Sequence, residues 1–388
     1  MKKIVIIPLI LWNLHAETFD AFMQKALQTS PYLKANALEK EQADEASKII
    51  QRYKNPTLSL EASRFQPDVG ANASGYKGAY IQPMRLWGVG RAREKLAHAT
   101  EAVATSSIML KRAEFRRNLS LLYINYMQAS AFVLLTKEEL KIVQKIADIS
   151  KERYEAGTIA KARYLLAKVD VMRAKNRHNE KEVQKLSAYW RLLAFGGERE
   201  VIELEEKYTF VRQSQASLAQ SATLQFLQNS QQQAEQQAAL NAHKIEWIDL
   251  YAEYEKVPNQ SIARVGVDIP LAIFNTKQEE QRIAQLKVKQ RKYLIENQKT
   301  LLTNRLKRLD AELEVLQKTF DSTKALYLAQ KELLAMYETA YKIANVNLIE
   351  LQNIKNQIIA TRAKEIILQT KIDRNIVLYN YEIGEYNE

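Results

Sequence analysis

The segment Val267-Asp-Ile-Pro-Leu-Ala-Ile-Phe274 shares its layout with an earlier segment, Tyr80-Ile-Gln-Pro-Met-Arg-Leu-Trp87. In each segment a proline ends a β-like stretch, and an aromatic residue follows four positions later. The interval from Pro83 to Pro270 equals the interval from Tyr154 to Tyr341, which begin Tyr154-Glu-Ala-Gly157 and Tyr341-Lys-Ile-Ala344. We call this common spacing the repeat interval. Two pairs of markers with one spacing predict a duplicated structural unit, with a first repeat over 17–203 and a second over 204–388.

Very long helices are predicted in both repeats because residues that interrupt helices are scarce. The 388 residues include only 10 Gly and 7 Pro, about 4% where an average globular protein has roughly 12%. We expect long helices at about 88–156 and 276–343, and return helices at about 162–195 and 349–386. Apolar residues recur along them at intervals of three and four, which indicates coiled-coil packing against partner helices.

Four strands are predicted before the long helices, at about 57–65, 79–86, 246–255 and 261–272. Their apolar and polar residues alternate with a period of two: Ala263, Val265 and Val267 share one face, and Arg264 and Asp268 lie on the other. Strands of this length suit a tilted crossing of a bilayer. Four strands cannot close a membrane barrel, so other copies of the chain would have to complete it. A soluble sheet packed on helices is the alternative that alternation alone leaves open.

The N-terminus has the layout of a secretory signal peptide over residues 1–16. Lys2 and Lys3 precede an apolar run that is too short to span a bilayer, and the small residue Ala16 marks the expected cleavage site. The longer uncharged stretch 118–136 contains several Asn, Gln and Ser side chains, so we interpret it as the middle of a water-soluble helix. The net charge of +12 is spread along the helices, which argues against a nucleic-acid-binding patch.

In its order of elements the whole mature chain resembles the TolC family of outer-membrane efflux proteins. The motifs that carry the resemblance are the opening segment Phe19–Pro31, Asn55-Pro56, Gln82-Pro83, Arg153-Tyr-Glu-Ala-Gly157, Gly266–Phe274 and Leu348-Ile-Glu-Leu-Gln352. The resemblance implies a homotrimer in the outer membrane of a Gram-negative cell, with one shared β-barrel and an α-helical periplasmic tunnel. It also implies a passive conduit of a tripartite efflux or type I secretion system, which works with a periplasmic adaptor protein and an inner-membrane pump. The segment 269–274 is similar to the heavy-metal efflux branch, a weak indication of cargo among drugs, metal ions and other substrates.

The resemblance also implies a pore gate at the tips of the helical hairpins, and its candidate residues are Glu350, Asn353, Arg163 and Tyr341. Aligned from Tyr341, Glu350 lies at the first acidic gate position of the family, and Asn353 replaces the second acidic residue. In the first repeat Arg163 replaces an acidic residue, and it lies one repeat interval before Glu350. We hypothesise that Arg163 and Glu350 pair near a closed mouth; the alternative is two solvated helix charges.

The tips themselves are the expected contact sites for the adaptor protein. By the resemblance, the first is Ala156-Gly157-Thr158 and the second is Ala344-Asn345-Val346. Small residues allow a second helix to approach closely. The first tip keeps the glycine of the family, whereas the second has Ala344 in its place.

No catalytic chemistry is expected. There is no Cys, which excludes a disulfide framework, a thiolate metal site, a catalytic thiol and an N-terminal lipid-modified cysteine. The four His residues are isolated, and no phosphate-binding glycine loop occurs, so we predict no enzyme, no metal site and no cofactor. The alternative function is a secreted or periplasmic coiled-coil structural or adaptor protein.

Overall fold

The computed structural model describes residues 16–66, 68–213, 218–343 and 345–387. The elements are α1 (Phe19–Thr29), α2 (Pro31–Gln51), β1 (Thr57–Phe65), β2 (Ala73–Arg85), α3 (Val89–Glu155), α4 (Lys161–Gly196), α5 (Ala222–Asn241), β3 (Trp247–Val257), β4 (Gln260–Asp268), α6 (Gln278–Lys342) and α7 (Leu348–Glu382). Short 3-10 helices lie at Leu218–Gln220 and Glu385–Asn387. The predicted signal peptide lies outside the described residues except for Ala16.

The chain divides into two compact units. One unit contains the described residues of Met1–Lys34, Lys111–Ser221 and Leu302–Glu388. The other unit contains Ala35–Leu110 and Ala222–Leu301, and therefore the sheet. Each unit takes residues from both predicted repeats. The predicted division into repeats at 17–203 and 204–388 is therefore a different division from that into compact units, and it stays a prediction.

The four strands form one antiparallel sheet in the order β1-β2-β3-β4. Strands β2 and β3 pair from Tyr76–Lys256 to Arg85–Trp247, which joins the two hairpins edge to edge. Strand β1 has the predicted bounds, whereas β2 begins at Ala73 and not at 79. The predicted strand bounds of 57–65 and 79–86 left Gly75 outside both strands. In the structure a Cβ at Gly75 would lie 2.8 Å from atoms of both neighbouring strands, so glycine permits the close approach there.

The two prolines that marked the repeat have different positions in the sheet. Pro83 lies within β2, not at its end, and its partner in β3 is Asp249. The pairing of β2 with β1 ends at Ile81, so no residue of β1 lies opposite Pro83. The backbone nitrogen of Pro83, which carries no hydrogen, can therefore face this unpaired side of β2. Strand β4 ends at Asp268, before the predicted end at 272, because Pro270 cannot donate a ladder hydrogen bond.

The two long helices contain 67 and 65 residues, so each is about 100 Å long. The ends of α3 and α6 are one repeat interval apart, and so are the starts of α4 and α7. Helix α7 ends at Glu382, before the predicted end at 386, where Gly384 takes a φ of 86°. Among the described helices, α3 contains an 18-residue stretch apolar enough to cross a bilayer, and half of that stretch is buried inside the protein.

The larger core of the first unit surrounds Phe19 at the start of α1. Its ring lies 4.5 Å from that of Tyr123, 4.8 Å from Tyr208 and 5.5 Å from Phe210. A backbone contact just before the helix holds the residues that lead into α1, since the Glu17 N–H donates to the Glu203 carbonyl at 2.6 Å. Residues 201–213 therefore pack as an extended segment over α3 and α1, a feature that the sequence interpretation did not contain.

In the second unit an ion-pair cluster holds the first turn of α3 against the start of β3. The Glu246 carboxylate accepts hydrogen bonds from Arg93 and Lys277, both at 2.5 Å. Burial alone would raise the pKa of Glu246, but these hydrogen bonds hold it below its usual value. The apolar neighbours Val89, Ala92, Leu96 and Leu240 form the core beside this cluster.

Candidate functional site

The first helical tip closes through a left-handed glycine. Gly157 has a φ of 71°, a conformation that costs little only for glycine. The Thr158 N–H and hydroxyl both donate to the Arg153 carbonyl, at 2.8 and 2.9 Å. Tyr154 and Tyr164 stack across the turn with ring centroids 5.7 Å apart. Ala156, Gly157 and Thr158 are exposed, so the first predicted contact site presents small residues on a rigid turn.

The second tip closes in a similar way without the glycine. The Asn345 N–H donates to the Ala340 carbonyl at 2.9 Å, a bond that lies one repeat interval after the Thr158–Arg153 bond. Asn347 then caps α7: its side-chain oxygen accepts from the Glu350 N–H at 3.0 Å, and its amide donates to the Glu350 carboxylate at 2.7 Å. Asn345 is exposed and Val346 is half-buried. Ala344 lies outside the described residues.

The structure gives the predicted gate residues different environments. Glu350, Asn353 and Arg163 are exposed, whereas Tyr341 is 1% exposed. Among the described residues Arg163 and Glu350 form no ion pair with each other, and Glu350 is the acidic partner of Asn347 in the capping arrangement of α7. The pairing hypothesis, which concerned neighbouring hairpins near a closed mouth, stays a prediction.

Tyr341 links the two helical hairpins instead of facing solvent. The Ser150 hydroxyl donates to the Ile146 carbonyl at 2.8 Å, so the Tyr341 hydroxyl donates to Ser150, also at 2.8 Å. Arg153 donates to the Tyr341 carbonyl at 2.9 Å, and its guanidinium lies 4.8 Å from the ring centroid. These partners on α3 hold the end of α6 in place.

A buried ion pair near the tips was missed by the sequence interpretation. Lys355 on α7 donates to Asp170 on α4 at 3.2 Å, and Gln352 donates to the same carboxylate oxygen at 3.0 Å. The Lys355 side chain is 3% exposed and that of Asp170 is 19% exposed. The sequence does contain a signal for this buried lysine. Lys355 lies at helical spacing within an apolar stripe that is formed by Leu348, Leu351 and Ile358.

The sheet has one apolar and one charged face. The residues that share the apolar face are 39–87% exposed in the single chain: Leu58, Leu60, Tyr76, Tyr80, Met84, Leu250, Tyr254, Val265 and Val267. On the other face Lys77 contacts Glu253 at 2.8 Å, and Arg264 contacts both Glu253 and Glu255. A sheet with one apolar and one charged face is typical of a barrel with lipid outside and water inside.

The described residues include no group of three or more His, Cys, Asp or Glu side chains arranged to hold a metal ion. The contacts observed at the tips are hydrogen bonds, ion pairs and apolar packing. Such contacts can hold helices together, can break when the helices separate, and can form with another protein.

Comparisons with known proteins agree with this geometry. Residues 22–198 match the family model of the outer membrane efflux protein, whereas no curated protein sequence matches the chain. The fold is similar to that of the outer-membrane channel OprN, with a TM-score of 0.80, 13% identity, and coverage of 95% of this chain and 90% of OprN. It is also similar to the Campylobacter jejuni CmeC outer membrane channel, with a TM-score of 0.77, 13% identity, and coverage of 94% and 85%.

A third similar structure is CusC, with a TM-score of 0.77, 15% identity, and coverage of 94% of this chain and 91% of CusC. These likenesses cover both helical hairpins and the sheet, and at such identities they establish the fold. The predicted TolC-like fold is thus confirmed at the level of one chain, as is the outer-membrane location. The family that matches residues 22–198, a little under half of the chain, is that of the outer membrane efflux proteins, and both this family and the similar structures are outer-membrane channels and not enzymes.

Proposed function

We propose that three copies of the chain form a passive conduit through the outer membrane. Their strands would build one β-barrel and their helices one periplasmic tunnel. In this proposal the channel belongs to a tripartite efflux or type I secretion system, in which an adaptor protein and an inner-membrane pump supply the cargo. The pump would select drugs, metal ions or other substrates, and the heavy-metal branch stays a prediction.

The two-faced sheet with two unpaired outer edges is the observation that carries the proposal. Within the described chain, β1 and β4 each pair on one side only. Unpaired backbone groups at a sheet edge are not tolerated in the hydrocarbon of a bilayer. Since β1 and β4 are antiparallel neighbours of β2 and β3, β4 of one copy can continue antiparallel into β1 of the next copy. Four strands per copy then give an even number of strands in any closed ring.

Two exposed aromatic residues fit the boundary of such a barrel. Trp87 follows β2 and is 93% exposed, and Phe274 follows β4 and is 99% exposed. They are one repeat interval apart, so each occupies the same position in its repeat. Aromatic residues are enriched where membrane barrels meet the lipid headgroups, which accounts for two large apolar side chains left in contact with solvent.

The helical tips are proposed as both the gate and the adaptor contact. Glu350, Asn353 and Arg163 offer exposed polar groups there, and Tyr341 ties α6 to α3. The small exposed residues of the first tip can accept a helical hairpin of another protein. At the second tip the capping arrangement of Asn347 and Glu350 maintains the turn in place of a glycine.

The experiment is subcellular fractionation followed by measurement of the assembly mass and of channel conductance. We expect the protein in the outer-membrane fraction, a mass of three subunits in detergent, and ion conductance in a planar bilayer. The subunit count is informative because two copies would already supply eight strands, the smallest number found in membrane barrels. A soluble periplasmic monomer would instead support the alternative, a coiled-coil structural or adaptor protein.

A further inference from the structure

A cavity in the first unit lies between helices α3, α6 and α7 and the extended segment 201–213. It has a volume of about 450 Å³, within the range of roughly 300–1,000 Å³ that is usual for small-molecule sites. The three helices supply its apolar walls, which consist of Ile124, Met127, Ala131, Phe320 and Ile366. Lys207 and Thr209 of the extended segment also line the cavity and are exposed, so a small molecule can enter along that segment.

A buried carboxyl group of α7 belongs to the lining of this cavity. Asp373 lines it and is 6% exposed. Its Oδ1 accepts a hydrogen bond from the Gln369 amide at 2.9 Å. Among the described residues Asp373 has no cationic partner. An ionised carboxylate that is buried without a cation is costly, and a cation beside it offsets that cost.

The guanidinium group that also lines the cavity is held away from this carboxyl group. Arg362 contacts the Glu365 carboxylate at 2.6 Å, and it lies 5.1 Å from the ring centroid of Tyr327. It precedes Asp373 by eleven positions on α7, which corresponds to about 16 Å along the helix. The positive charge of Arg362 is therefore used at the other end of the cavity.

The ionisable groups of the extended segment leave the buried carboxyl group without a cation as well. Glu206 pairs with Lys185 of α4, and the Tyr208 hydroxyl donates to Asp20 at 2.9 Å. Lys207 is exposed, and it is not among the groups that alter the pKa of the buried carboxyl group. The residues with which α3 and α6 line the cavity include no ionisable side chain.

The fold itself does not require an acid at this position. The residue one repeat interval earlier, in the equivalent place on α4, is Leu186. Burial raises the pKa of Asp373 to about 6, and the hydrogen bond from Gln369 opposes that rise only in part. At pH 7.5 the group is therefore mostly ionised, at a cost in stability. A titratable group that is perturbed in this way and lines a cavity is a candidate for a binding site.

We propose that this cavity binds a protonated amine with an apolar body, whose ammonium group pairs with the Asp373 carboxylate. The ammonium group supplies the cation that the chain does not, and the apolar body contacts Phe320 and the aliphatic walls. An organic anion would be repelled by the carboxylate. The cavity lies apart from the tips and from the sheet, so the inference goes beyond the proposed conduit and does not depend on it.

Ligand-detected NMR tests the proposal on the full chain in lipid nanodiscs, with empty nanodiscs as the blank. The probe is 4-phenylbutylamine, and 4-phenylbutan-1-ol is its uncharged counterpart. We expect the amine to bind at least about tenfold more tightly than the alcohol at pH 7.5. Because the pKa of Asp373 is about 6, the dissociation constant of the amine should rise about tenfold at pH 5. That of the alcohol should stay the same.

Three variants locate the site. Asp373→Asn should weaken amine binding about 30-fold at pH 7.5 and remove its pH dependence. Unfolding would not explain that loss, because the variant removes a buried charge and should be more stable at this pH. Ala131→Trp, which fills the cavity from α3, should prevent binding of both probes. Asp321→Asn is the matched control, since it makes the same change beside Phe320 at an exposed residue, and it should leave binding unchanged.

Each contrary result overturns the inference in a recognisable way. Equal affinity of the amine for wild type and Asp373→Asn would show that the carboxyl group takes no part. An alcohol that binds as tightly as the amine would assign the cavity to an uncharged ligand. Binding no stronger than that to empty nanodiscs would leave the cavity without an amine site. The assembly mass and conductance of the same preparation test the conduit separately, so either proposal can fail while the other stands.

Discussion

Removing the charge of Asp170 should loosen the helical tips. Asp170 is the acceptor of the buried Lys355 ammonium at 3.2 Å. With an effective dielectric constant of about 20, two unit charges at that distance attract by about 5 kcal/mol. Desolvation of both groups offsets part of this attraction, and breaking a buried pair by removing one partner costs about 3–5 kcal/mol in measured cases.

The expected cost of Asp170→Asn lies below that range. The Asp170 side chain keeps 19% of its exposure, and the asparagine oxygen still accepts a hydrogen bond from Lys355. We therefore expect a loss of about 2 kcal/mol in the free energy of local opening. That value corresponds to about 30-fold faster amide hydrogen exchange, measured by mass spectrometry on peptides that cover 348–358.

Two further variants make this prediction refutable. Asp170→Asn/Lys355→Met removes both charges and keeps the apolar stem, so exchange should return to within about threefold of the wild-type rate. Glu314→Gln breaks a pair whose side chains are 68 and 74% exposed, so exchange in its own peptide should change by less than about threefold. If Asp170→Asn left the rates unchanged, or if the double variant were as loose as the single one, the pair would not hold the hairpins.

Three smaller predictions concern single residues. Gly157→Ala should cost about 1 kcal/mol in thermal unfolding, because its φ is 71° and no atom lies within 4 Å of a new Cβ; Gly90→Ala, in ordinary helical conformation, should not destabilise. Asn347→Ala should cost about 1 kcal/mol by removing the cap of α7, and unchanged stability would contradict that role. Burial raises the pKa of Asp373 to about 6, so wild-type stability should fall as pH rises from about 4 to 6. Asp373→Asn should lack this fall and be more stable at pH 7.5 by up to about 3 kcal/mol; parallel pH profiles would refute it.

Elements with a strong periodic signal could be predicted from the sequence. The alternation in β1 and the lack of Gly and Pro over 91–154 and 278–341 gave bounds close to those observed. The repeat interval indicated where α4 and α7 begin. Helices α2 and α5 were not predicted, since their apolar residues are too sparse to mark a face and they bury few side chains.

Features that depend on tertiary contact could not be predicted. The pairing of β2 with β3 depends on two edges that are distant in sequence, and local alternation carries no information about it. Tyr341 and Tyr154 are equivalent in sequence, but Tyr341 is 1% exposed and Tyr154 is 37% exposed, because only the former lies against the other hairpin. Lys355 could have been recognised from its place on an apolar stripe, but its partner Asp170 could not.

The membrane orientation of the sheet is the central claim, and spin-label accessibility tests it most directly. Single cysteines at Leu60 and Val265 on the apolar face, and at Glu61 and Arg264 on the charged face, can be labelled in the Cys-free chain. In proteoliposomes the first two labels should be relaxed by oxygen dissolved in lipid, and the second two by a water-soluble nickel complex. Equal relaxation of all four labels by the nickel complex would contradict a lipid-facing sheet and with it the proposed channel.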